Sequence, residues 1–139
     1  MSVLSDKINS IPNLYKAQPA SEEQIINAES RLGLQFSDEF KEYLKEFGSI
    51  SFYGTEWMGL NTDEFCDVIS TTLEARRLYD SFPNDKFIVE DLHIDDLLIV
   101  SDSEGEIYCW QDGIIENSYP SLFDYLKVCI ERGQETSID

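Results

Sequence analysis

The chain has 139 residues, with 28 Asp or Glu against ten Lys or Arg and a formal net charge of −18. That length fits a single domain, 1–139, whose core needs no metal or disulfide, and eight Phe, seven Tyr and two Trp argue against disorder. The charge has the wrong sign for a nucleic-acid binder or an anionic membrane surface, and the longest ordered apolar run, Leu97 to Val100, falls far short of the ~20 residues that span a bilayer.

In chain order, Leu4, Ile8 and Ile11 have helical spacing up to Pro12, and Asn13 to Ala20 reads as a connection. Ser21-Glu22-Glu23-Gln24 is a capping box, Ile25, Ala28 and Leu32 share one face, and Gly33 is a stop, so a helix is predicted over about 22–32. Ser37 caps a second helix whose Phe40, Tyr43, Leu44 and Phe47 form an apolar stripe closed by Gly48. The turn between these helices is so short that they must pack side by side. Ile50-Ser51-Phe52 and Trp57-Met58-Gly59-Leu60 read as two short strands, and a helix is expected near 71–80, with β-branched residues before it.

From Phe87 the pattern is a β-meander. Strands are predicted at Phe87 to Leu92, Leu97 to Ser101, Glu106 to Trp110 and Ile114 to Asn117, with Asp112-Gly113 as a tight hairpin turn. A final helix opens at Pro120-Ser121, turns Leu122, Leu126, Cys129 and Ile130 inward, and ends at Gly133. The expected class is α+β: an N-terminal helix pair, an antiparallel meander with helices packed against it, and a C-terminal helix.

Catalytic chemistry is poorly provided for. His93 is the single histidine, no Gly-x-Ser-x-Gly elbow is present, and no cysteine neighbours it in sequence. One His and scattered Cys66, Cys109 and Cys129 have no zinc spacing, Asp102 to Glu106 does not fit a calcium loop, and no Gly-rich phosphate cradle occurs. No cofactor or metal is therefore expected. The start, Met1-Ser2-Val3-Leu4-Ser5-Asp6-Lys7, has no signal-peptide pattern, and three widely spaced cysteines are not a disulfide framework. A cytoplasmic protein with Cys109 and Cys129 buried and reduced is the expectation.

The charge is unevenly spread. Between Asp85 and Asp124 lie eleven acids and one base, Lys86, a net −10 in forty residues. Glu90, Asp91, Asp95, Asp96, Asp102, Glu104, Glu106, Asp112 and Glu116 fall on or beside the strands and turns of the meander, whose alternate turns share one end of the sheet. Two readings stand: a solvated surface that keeps the protein soluble, or a face that steers a basic partner. Trp57, Tyr108 and Trp110 fit core or sheet-face positions better than a cofactor box.

The run Ser21-Glu22-Glu23-Gln24-Ile25, Glu29, Leu32-Gly33-Leu34, Phe36, Glu39-Phe40, Tyr43-Leu44 and Phe47-Gly48, with the later Leu122-Phe123-Asp124-Tyr125-Leu126, resembles the SUKH superfamily over about residues 20–131. Gln35-Phe36 replaces the family's frequent Leu-Pro, and Phe47-Gly48-Ser49 its usual Asn-Gly-Gly. The superfamily includes many bacterial immunity proteins of polymorphic toxin systems and a fungal cell-wall assembly regulator family. The resemblance implies a non-catalytic immunity protein that neutralises a toxin, often a nuclease, by binding its basic face. The acidic residues named above are the candidate contacts. The alternatives are an intracellular regulatory or adaptor module of the same fold, and a small enzyme built on His93.

Overall fold

The structure is a computed structural model that describes residues 2–136. Its elements follow the order α1 (Val3–Asn9), β1 (Tyr15–Lys16), α2 (Glu22–Leu32), α3 (Asp38–Phe47), β2 (Ile50–Phe52), β3 (Thr55–Glu56), α4 (Val68–Leu78), β4 (Phe87–Asp91), β5 (Leu98–Ser101), β6 (Ile107–Gln111), β7 (Ile114–Tyr119) and α5 (Leu122–Thr136). The meander is a four-stranded antiparallel sheet in the order β4-β5-β6-β7, and β1, β2 and β3 form a second, smaller antiparallel sheet. The α+β arrangement expected from the sequence is the one observed.

The helix pair forms for the reasons its sequence gives. Ser21 Oγ accepts the Gln24 N–H at 3.1 Å while Gln24 Oε1 accepts the Ser21 N–H at 2.9 Å. Gly33 closes α2 in the left-handed conformation, at φ 67°. Glu29 then reaches over the turn, and its carboxylate accepts the Phe36 N–H at 2.9 Å. That bond holds Phe36 where its ring meets Phe40 and Phe87, with centroids 5.0 and 4.8 Å away. Ser5 Oγ of α1 lies 2.6 and 2.7 Å from carboxylate oxygens of Glu42 and Glu46 and donates its one proton between them, which seats α1 on α3.

Tyr43 is buried, and its hydroxyl accepts the Ile50 N–H at 3.2 Å and donates to the Met58 carbonyl at 3.0 Å. One phenol thus joins α3 to both ends of the β2–β3 hairpin. Trp57 packs edge-on to Tyr43 at 5.5 Å and stacks on Tyr125 of α5 at 6.0 Å. The second short strand is Thr55–Glu56, not the Trp57–Leu60 expected. The reason is that Met58 donates to Val89 O at 2.7 Å and Leu60 to Gly48 O at 2.9 Å, so this segment leaves the small sheet and crosses to β4. The crossing is close: a Cβ on Gly59 would sit 2.0 Å from Gly48 O, and one on Gly48 2.1 Å from Gln18 O. Only glycine fits at either position.

Three further boundaries differ from expectation. Tyr15–Lys16, read as connection, is an edge strand paired with β2, too short and exposed to carry a strand pattern. α4 begins at Val68, because Asp67 caps it through the Ser70 N–H at 2.7 Å and Val68, Ile69 and Thr72 are buried. Tertiary burial outweighs the β-branched penalty there. α5 runs through Gly133 to Thr136, and Gly133 is not a cap. A Cβ at that position would lie 2.4 Å from the Tyr53 Cβ, so the glycine lets the helix pass Tyr53.

The outer edge of β4 is occupied: Thr72 Oγ1 accepts the Ile88 N–H at 3.1 Å, and Met58 bonds Val89. The outer edge of β7 pairs with no strand among the described residues, and Ile114 to Asn117 are exposed. Cys129 is buried as expected, but Cys109 is only half-buried, because β6 lies one strand from that open edge.

The N-terminus of α5 is satisfied from afar. Glu39, in the first turn of α3, accepts the N–H groups of Leu122 and Phe123 at 2.9 and 3.2 Å. Glu39→Ala leaves both donors without their carboxylate and should cost about 1–2 kcal/mol, read as a lower urea midpoint with an unchanged slope. The thiols give a second test. Burial pushes Cys129 up to about 12, and burial followed by Glu56 and Asp63 pushes Cys66 up to about 11 from an ordinary value near 9. In the native state at pH 8, Cys66 should react with a thiol reagent about a hundredfold more slowly than an unperturbed cysteine, and Cys129 only after unfolding. Prompt native-state labelling of Cys129 would contradict the packing of α5.

Candidate functional site

The nine candidate acids do not form one face. Asp91, Asp95, Asp96 and Asp112 gather at the end of the sheet that holds the β4–β5 and β6–β7 turns. Asp102, Glu104 and Glu106 lie at the opposite end, in the β5–β6 turn, one strand length or about 13 Å away. Glu116 sits on exposed β7 between them.

The two ends differ in chemistry. At the Asp102 end, the Tyr108 hydroxyl is 2.8 Å from Asp102 Oδ2 and 2.9 Å from Glu106 Oε2. Burial, then these two carboxylates, raises its phenol well above the ordinary value. Lys86 lies over the Tyr108 ring at 4.7 Å and 3.4 Å from Asp85, with its side chain only 13% exposed. The one cation of the meander is therefore folded onto this end and offsets part of its charge.

The other end has no such cation. His93, Asp95, Asp96 and Asp112 all hold positive φ, between 50° and 59°, a conformation Asp and His enter more readily than most residues. Asp91 accepts the His93 N–H at 2.8 Å, with His93 Nδ1 3.7 Å from it, and Gln111 Nε2 donates to Asp95 O at 3.0 Å, tying the two turns together. Between the turns is an open hollow of about 570 Å3 lined by Tyr79, Asp95, Asp96, Gln111, Asp112 and Ile114. Through Tyr79 and Asp96 it continues into a groove of about 490 Å3 between α4 and the sheet. Burial, followed by the neighbouring Asp96, raises the Tyr79 phenol. Neither hollow nor groove is lined by a Lys or Arg.

Glu90 is the exception among the nine acids. It is 4% exposed and belongs to the interior, not to a contact surface. Its carboxylate takes a short hydrogen bond from the Tyr125 hydroxyl, and Arg132 Nη2 lies 2.9 Å from its Oε2 and 2.8 Å from Thr55 Oγ1. The preceding run Phe87-Ile88-Val89, apolar on both faces, was the available sign that this strand is buried on both sides. A bulge between Ile88 and Glu90 also breaks the alternation that would have aimed Glu90 outward.

His93 is 75% exposed on its turn. Among the described residues no group of His, Cys, Asp or Glu is arranged to hold a metal ion, and no helix is long and apolar enough to cross a membrane.

A family model described as SUKH_5, SMI1-KNR4 cell-wall, matches residues 2–131. The chain belongs to this SMI1-KNR4 family of the SUKH superfamily. Among solved structures it is similar to a protein from Pseudomonas syringae pv. tomato, with a TM-score of 0.68 and 17% identity over 89% of this chain and 90% of that one. That likeness concerns the fold. No curated protein sequence matches the chain.

The burial of Glu90 has a pH consequence. Burial raises its carboxyl above the ordinary value of 4.5, against the opposing pull of Tyr125, Arg132 and Cys129. Arg132 keeps its proton throughout, because its neighbours, Glu90 foremost, outweigh its own burial. A carboxyl raised on folding contributes stability that is fully present below pH 4.5 and lost as the pH rises through the folded value. The advantage of the wild type over Glu90→Gln should therefore be largest near pH 4 and shrink toward pH 7, measured by urea unfolding across that range. An advantage that grows with pH would mean that the Arg132 pair, not burial, governs this carboxyl.

Proposed function

We propose that the chain is a non-catalytic immunity protein that neutralises a protein toxin by binding it, and that the toxin is a nuclease domain with a basic face. The observation that carries this reading is the end of the meander where Asp91, Asp95, Asp96 and Asp112 converge with no Lys or Arg lining the hollow between them. A nuclease must present cations to its phosphate substrate, and such a face is complementary to this end. Family membership agrees with a binding role for the fold. Asp102, Glu104 and Glu106 are assigned a lesser part, because Tyr108 and Lys86 already engage that end. A second reading, a regulatory or adaptor module, is favoured by the cell-wall description of the matching family.

Charge acts on approach. Its reach is about 8 Å at physiological salt, and it raises association rates by roughly tenfold to a thousandfold. The left-handed backbone at Asp95, Asp96 and Asp112 selects the test variant, since Asn removes the charge and tolerates that conformation where Lys is strained. The triple variant Asp95→Asn, Asp96→Asn, Asp112→Asn should slow association with the cognate toxin by about tenfold. It should also flatten the salt dependence of that rate and weaken protection of cells making the toxin. Asp102→Asn with Glu104→Gln and Glu106→Gln should do less. Full protection and wild-type association by the first triple variant would leave the acidic end as a solubilising surface alone. Absence of any neutralisation, with a regulatory partner recovered instead, would favour the second reading.

A further inference from the structure

We propose that the groove between α4 and the β4–β5 turn is a docking site for a partner segment that presents one large apolar side chain flanked by Lys or Arg. This deepens the reading above and rests on it only for the basic character of the partner. The floor of the groove is apolar and closed: Met58, Ala75, Ile88 and Leu98 line it and are each 5% exposed or less. Its walls carry two large apolar side chains turned to solvent, Phe65 at 78% and Leu78 at 55% exposed. The helical periodicity that places Ala75 in the core does not bury Leu78, which leaves a leucine on the rim. Around this apolar strip stand Glu56, Glu64, Glu74, Asp91 and Asp96, with no Lys or Arg in the lining. On α4, Arg76 is committed to the Leu32 and Asn84 carbonyls and Arg77 pairs with Glu74 through its Nε at 3.1 Å, so Glu56, Glu64, Asp91 and Asp96 carry the uncompensated charge of the rim.

A volume of about 490 Å3 lies within the range of small-ligand clefts and accommodates one aromatic or long aliphatic side chain together with its backbone. An acidic rim around it repels acidic segments and matches cations placed one or two residues on either side of the anchor. The two parts of the surface then divide the work. The acids of the turns bring the partner in, and the groove supplies the desolvated anchor on which residence depends.

The test needs no toxin. The full chain, 15N-labelled, is titrated with three pentapeptides: Phe between two pairs of Lys, Ala between the same pairs, and Phe between two pairs of Glu. The first should shift the amides of Ser70, Leu78, Tyr79 and Leu98, bind about tenfold more tightly than the Ala peptide, and weaken as salt rises. The Glu peptide should not bind. Phe65→Ser with Leu78→Ser, both exposed and so compatible with an intact fold, should lower affinity for the Phe/Lys peptide about tenfold, and Glu64→Gln with Glu74→Gln should weaken it mainly at low salt. Equal binding of the Ala and Phe peptides, or shifts confined to the Asp102–Glu106 turn, overturns the proposal. So do groove shifts that appear without peptide as protein concentration rises, because the occupant is then a second copy. The toxin assay separates the two readings. A protein that takes the peptide but gives no protection sinks neutralisation and keeps the groove. Full protection by the Phe65→Ser, Leu78→Ser variant, with toxin affinity unchanged, sinks the groove and keeps neutralisation.

Discussion

A buried carboxylate has to be answered, and in this fold Glu90 of β4 is answered by side chains of one helix, α5. Tyr125 and Arg132 come from α5, and Arg132 carries the link on to Thr55 of β3. These groups offset part of the cost of taking the charge out of water, and bringing them onto one carboxylate fixes the register of α5 against both sheets. The rest of the helix follows from that register. Its N-terminus falls where Glu39 can cap it, Tyr125 falls beneath the Trp57 ring, and Gly133 falls where the chain must slip past Tyr53. The two sheets share no strand, and this network together with the Met58–Val89 crossing joins them.

The same economy explains the surface. Ten cations serve a chain with 28 acids, and several of them are committed to the framework. Arg76 donates to Leu32 O at the C-terminus of α2 and to Asn84 O, satisfying carbonyls across two connections. Arg132 is held by Glu90, and Lys86 is folded over Tyr108. What remains outside is an acid excess that the fold sorts by turn. The β5–β6 turn is partly compensated, and the end formed by the other two turns is not.

Much of this was legible in the sequence because the signals were local. Ser21 and Gln24, Ser37, the Phe40–Phe47 stripe and Asp112-Gly113 each define an element within a few residues, and α2 and the meander appear where those signals put them. What could not be read was carried by distant partners. Tyr15–Lys16 is a strand only because Ser51 and Ile50 lie beside it. Val68 begins a helix because its neighbours are buried, and Gly133 continues one because Tyr53 stands next to it. The candidate site suffered in the same way. Counting acids between Asp85 and Asp124 found the charge but could not separate Glu90, held by a helix forty residues on, from Asp95 and Asp96 on their turn. The groove was invisible, since Met58, Phe65, Leu78 and Leu98 come from four stretches of the chain.

The open edge of β7 gives the net charge a further meaning. Ile114 and Ile115 stand exposed on a strand whose outer backbone groups meet no neighbouring strand among the described residues, and no Lys or Pro interrupts it before Pro120. Such an edge is a template for another copy of itself. At neutral pH two molecules that each carry a net −18 repel one another before their edges can meet. As the pH falls toward the isoelectric point near 4.1, protonation of the carboxylates lowers that barrier, so the same acid excess that marks one end of the sheet also keeps the unpaired edges of two molecules apart.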